Sequence, residues 1–140
     1  MTSVPRWLPV ALLVCFLVHN SEEALTYGRY RERSAALLNR LMGVPGVPSE
    51  AAFHLALMLV SLLAAVAMVV VIARPAAPLA RFVTIALAAV MLVNVAVPHV
   101  PAALLLGGYA PGVVTAVLLN LPVALLALRR LALDRRRGRS

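Results

Sequence analysis

Apolar residues fill the chain in four long runs, separated by short stretches that carry almost every charge. The first run, Trp7 to Val18, then meets His19-Asn20-Ser21-Glu22-Glu23 and resumes with Ala24. Alone it is too short to cross a hydrocarbon core of roughly 30 Å, so the helix is predicted to continue through the glutamates. A span over residues 5–27 results, with Gly28 as its C-cap. The second span, 49–73, has Pro48 outside, Ser49 as N-cap and Arg74-Pro75 behind it. The third, 78–98, is disturbed or ended by Pro98 and Pro101; the fourth, 109–131, starts near Tyr109 or Pro111 and runs past the Arg129-Arg130 pair.

Two shorter segments do not span. In residues 31–43, Leu37, Leu38, Leu41 and Met42 recur on one helical face while Arg33, Asn39 and Arg40 lie mostly elsewhere. The pattern predicts an interfacial amphipathic helix closed by Gly43 and Pro45. Residues 101–108, "PAALLLGG", suit an interfacial or shallow re-entrant turn. The fold class expected is therefore all-α: a four-helix transmembrane bundle in one membrane domain (1–140), with an interfacial amphipathic helix between the first and second spans and a basic tail over 132–140.

Composition strengthens this picture. The hydrophobic fraction is 63% and no charge occurs between Arg81 and Arg129, more apolar surface than a soluble fold of this size can hide. Met1 to Val18 also has the charge and apolar core of a secretory signal, but no small-x-small cleavage site follows, so it reads as an uncleaved helix. Cys15 is the only cysteine, which excludes an internal disulfide. The net charge of +8 comes from 13 arginines. In a soluble protein it would suggest nucleic acid; here topology explains it, so no nucleic-acid partner is expected.

Counting arginines gives an orientation. Four spans put Arg6, Arg74, Arg81, Arg129, Arg130, Arg135, Arg136, Arg137 and Arg139 on one side, against Arg29, Arg31, Arg33 and Arg40 on the other. Nine against four favours a multi-pass protein with both termini cytoplasmic, its tail able to touch anionic lipids.

Candidate chemistry appears once depth is estimated from these arginines at about 1.5 Å per residue. His19, Asn94 and Thr115 all fall roughly 20 Å above the inner boundary, Glu22 and Glu23 at about 24–26 Å, and His99 at about 27 Å. His54 and Tyr109 come out near 30 Å. Ionisable groups at such depths cost a few kcal/mol each unless paired or facing a cavity, so a shared polar site is the economical reading. His19, Glu22 and Glu23, at i, i+3 and i+4, share a helical face. His19, one glutamate and His99 would make three ligands for zinc, iron or manganese, with a position open for water or substrate. The other glutamate would act as general base or support a histidine. Competing with this is a buried His–Glu pair that only ties helices together. His54 reads as an interfacial histidine, Asn94 and Asn120 as helix–helix hydrogen-bonding groups, and Gly112 as a point of close helix approach or backbone access.

"HNSEE" (His19 to Glu23), "NVAVPHV" (Asn94 to Val100) and "YAPGVVTAVLLNLP" (Tyr109 to Pro122), in this order, resemble the HXXEE family of small membrane proteins over about residues 8–131. The resemblance implies attention to His19, Glu22, Glu23, Asn94, His99, Tyr109, Pro111 and Gly112, and implies no particular reaction. The family pattern often has a basic residue just before the tyrosine; Gly107-Gly108 stand there in this sequence, which argues against electrostatic capture of an anionic headgroup at that loop. Two functions remain open: a metal-dependent or metal-free His/Glu enzyme acting on a lipid or small amphipathic molecule, or a membrane protein that transports, binds or scaffolds.

Overall fold

A computed structural model describes residues 3–44 and 46–137. The expected closing residue Pro45 and the tail residues 138–140 lie outside the described residues. The described chain is all-helical, and four of its helical stretches are long and apolar enough to cross a membrane, as a multi-pass membrane protein requires. Helix α1 is Trp7–Met42, α2 Glu50–Ala73 and α3 Pro78–Asn94. A bend over Val95–His99 leads into α4, Val100–Leu105. The last stretch begins with a single turn, α5 (Val113–Thr115), passes a widened turn at Ala116–Asn120, and continues as α6, Leu121–Arg137.

The helices meet along stripes of 3- and 4-residue spacing. On α1 the buried positions are Leu8, Pro9, Leu12, Phe16, His19, Asn20 and Tyr27. On α3 they are Ala80, Thr84, Ala88 and Met91, and on the last stretch Ala116, Asn120, Ala124, Ala127 and Leu131. Small side chains dominate where α3 and α6 face each other, which lets two backbones approach closely in a solvent that offers no hydrophobic drive between helices. The outer surface is as apolar as the interior: Leu25 is 85% exposed, Leu104 76% and Leu63 70%. That surface suits lipid and would associate in water.

Gly28 does not end the first helix. The span and the amphipathic segment form one uninterrupted helix of 36 residues, about 54 Å long, closed by Gly43 in the left-handed conformation (φ 66°). A Cβ at Gly28 would lie 2.9 Å from a carboxylate oxygen of Glu50, the tip of an exposed side chain that can turn aside. Ser49 caps α2 as expected, its Oγ accepting from the Ala52 N–H at 3.2 Å. The third span also runs longer than its proline boundary suggested. Val97 is extended (φ −149°, ψ 110°) and Pro98 lacks an N–H, so the helix bends there and resumes as α4, carrying residues 100–105 onward instead of into a separate turn. The fourth starts at Val113, after Gly112 turns the backbone at φ 78°.

Both ends of the bundle are tied. At one, the Val4 N–H donates to the Pro75 carbonyl and the Arg81 guanidinium donates to the Leu131 carbonyl. At the other, Tyr27 and Arg31 both donate to the Pro48 carbonyl, and Arg33 donates to the Leu106 carbonyl.

Candidate metal centre

The polar site forms where the bend after α3 and the turn before α5 both face α1. His19 and Glu23 stand one helical turn apart on α1, and His99, just past the Val97–Pro98 bend, comes in from the other side. One ligand atom from each of His19, Glu23 and His99 lies within 4.8 Å of the other two. His99 Nε2 is 3.4 Å from Glu23 Oε1, and His19 Nε2 is 3.8 Å from Glu23 Oε2. The two imidazoles meet edge to face, centroids 4.7 Å apart. Both histidines are buried.

Hydrogen bonds assign the tautomers. His99 Nδ1 is 2.8 Å from the Pro111 carbonyl, which only accepts, so Nδ1 carries the proton and Nε2 the lone pair. That lone pair is buried and has no hydrogen-bond partner. The Thr115 hydroxyl donates to Glu22 Oε2 at 2.5 Å and therefore accepts from His19 Nδ1 at 3.0 Å. His19 Nε2 is left with a lone pair too, which accepts from the Asn94 amide at 2.9 Å. Among the described residues the Glu23 carboxylate receives no hydrogen bond. Two imidazole lone pairs and a carboxylate converge, and only the Asn94 amide offers a proton.

Such a set is what a divalent cation needs. Ligands at about 2.1 Å from a tetrahedral metal sit about 3.4 Å from each other, close to the His99–Glu23 separation. The histidines also have the outer partners typical of metal ligands, since each donates its far N–H to an oxygen. A cation taking the His19 lone pair would displace the Asn94 amide. Gly112 lies at the middle: a Cβ there would stand 2.7 Å from Glu23 Cγ and 2.8 Å from Cε1 of each imidazole.

Glu22, expected to share this cluster, is committed elsewhere. Its carboxylate accepts from the Tyr109 hydroxyl at 2.6 Å, the Thr115 N–H at 2.8 Å and the Thr115 hydroxyl. At i+3 from His19 its side chain leans toward the start of α5, where a first-turn N–H needs an acceptor and a carboxylate is favoured. Glu22 thus caps the fourth span and, through Thr115, holds the His19 ring. Burial, and behind it the Glu22 carboxylate, push the Tyr109 phenol above its ordinary value, so it stays a donor.

His54 is not brought to the cluster. Its Nε2 donates to the Ala24 carbonyl at 2.9 Å in an open groove between α1 and α2. Asn94 ties two helices as expected, but by bonding a candidate ligand. Asn120, expected to do the same, is fully buried with neither amide atom partnered. Two contacts escaped the sequence reading. Asn20 donates to the Ser61 hydroxyl at 2.8 Å, and Arg33 reaches the loop before Tyr109. Span polarity at Asn20 and Ser61 was a usable signal; the Arg33 contact, across 73 residues of sequence, had none.

Comparison with known proteins gives two matches. The family described as "Protein of unknown function with HXXEE motif" matches residues 10–127. "Uncharacterized protein YrkK" of Bacillus subtilis (strain 168) is 30% identical over 111 residues, which cover 78% of this chain and 66% of that relative. No solved structure matches the chain.

Proposed function

The chain belongs to the HXXEE family, and we propose that His19 and Glu23 of its motif join His99 to hold a divalent metal ion in an enzyme that works within the membrane on a lipid or other small amphipathic molecule. One observation carries the reading: the buried His99 Nε2 lone pair, without a partner, aimed at a Glu23 carboxylate that receives no hydrogen bond. Burying two acceptors face to face costs free energy that a cation or a proton must offset. Imidazole and carboxylate ligands suit zinc, iron or manganese. His19, Glu23 and His99 would hold the ion, which would supply Lewis acidity at the site. Thr115, held by Glu22, keeps the His19 ring in the tautomer that offers Nε2. Tyr109 and Glu22 put a hydroxyl and a carboxylate beside the same cluster.

A second reading, metal-free acid–base chemistry or proton handling, draws on the chain Glu22–Thr115–His19, with a proton on Glu23 in place of the cation. Metal analysis separates the two. Protein purified in mild detergent is expected to carry about one equivalent of zinc, iron or manganese. His19→Ala, His99→Ala and Glu23→Gln should each lose it while keeping their helical circular dichroism. Wild type that is folded, metal-free and unable to take up any of the three on dialysis would exclude the metal reading and spare the acid–base one.

A further inference from the structure

Resting on that reading, we propose that Arg33 and the turn from Leu106 to Tyr109 form the outer mouth of the His/Glu site, and that the substrate is an amphiphile with an anionic, phosphate-type head group. One face of α1 carries His19, Glu23, Tyr30 and Arg33, at spacings of four, seven and three residues. Arg33 stands ten residues beyond Glu23, about 15 Å along the helix. Its Nη2 donates to the Leu106 carbonyl at 2.5 Å, which holds the guanidinium over the loop, and the residue as a whole is exposed. Beneath it, the Tyr30 and Tyr109 rings lie 5.0 Å apart, and the Tyr109 hydroxyl reaches Glu22. The mouth and the candidate metal centre are therefore joined through one tyrosine.

Charge says what the mouth takes. Arg29 and Arg33 stand at i and i+4, a like-charged pair that is unfavourable by itself. Among the described residues neither has a carboxylate within ion-pair distance; the pairs there are His19–Glu23, His99–Glu23 and Arg130–Asp134. A guanidinium fork with free donors matches phosphate oxygens, and an anion between the two arginines relieves their repulsion. The neighbouring residues supply the other half of the ligand: Leu104 and Leu105, beside the Leu106 carbonyl, are 76% and 57% exposed. An anionic head on Arg33 leaves its apolar chain against these leucines, in the lipid.

Calorimetric titration of protein in a neutral maltoside detergent tests this with three probes: dodecyl phosphate, dodecylphosphocholine and inorganic phosphate. Dodecyl phosphate should bind at least about tenfold more tightly than either of the others, the worth of one charge-assisted contact. Arg33→Gln should lose about that factor, Arg33→Lys should keep part of it, and Arg40→Gln, the same charge change further along α1, should bind like wild type. Equal losses in Arg33→Gln and Arg40→Gln would overturn the proposal, since the effect would then be general charge. Inorganic phosphate binding as tightly as dodecyl phosphate would overturn the amphiphile. Metal content, measured on the same samples, should be the same in Arg33→Gln and wild type. Metal-free wild type with Arg33-dependent dodecyl phosphate binding would sink the metal reading and leave the mouth standing.

Discussion

At Gly112 three candidate ligands close on one backbone atom, and two separate constraints exclude any side chain. Its φ of 78° is costly for other residues, and a Cβ would press on Glu23, His19 and His99 together. Gly112→Ala should therefore abolish metal retention while overall helicity survives, read by metal analysis beside far-ultraviolet circular dichroism. Full metal content in that variant would show that the three groups do not meet at Gly112. The glycine was legible in the sequence only as a point of close approach, because what it approaches comes from residues 89 to 93 positions earlier and 13 earlier. That one glutamate would face the histidines and the other support them was legible, but not which is which. Both lie on the His19 face, and only the position of Thr115 assigns one to the helix start and leaves the other to the histidines.

Among the elements, the last helical stretch is irregular, as the third is at Val97. The Leu121 N–H bonds five residues back to Ala116, widening the turn just below the site. Asn120 sits in that turn, fully buried, with its amide nitrogen and oxygen both unpaired. A buried amide of this kind costs about 1–3 kcal/mol. Asn120→Leu, similar in volume, should raise the thermal midpoint in detergent by a comparable free energy; a lowered midpoint would mean that the amide has a partner such as a bound water. The opposite lesson comes from α1. Its apolar and amphipathic segments were each legible, yet Gly28 between them looked like a stop. Helix propensity is a weak prior, and a single glycine inside a long helix costs too little to end it.

Over the whole molecule, four antiparallel helices put Arg6, Arg74, Arg81, Arg129 and Arg130 at one end and Arg29, Arg31, Arg33 and Arg40 toward the other. The arginine excess argues that the first end is cytoplasmic. A C-terminal green fluorescent protein fusion should fluoresce and a C-terminal alkaline phosphatase fusion should be inactive; the reverse result would invert the bundle. Span number, fold class and the polar layer follow from the sequence alone, because a lipid solvent forces long apolar runs and penalises every buried charge by depth. Which polar groups touch is a tertiary matter. The Val97–Pro98 bend swings His99 inward, the Gly112 turn admits both imidazoles, and Thr115 selects the His19 lone pair. Depth along a helix is a property of spacing, but convergence depends on rotations and bends that spacing does not contain.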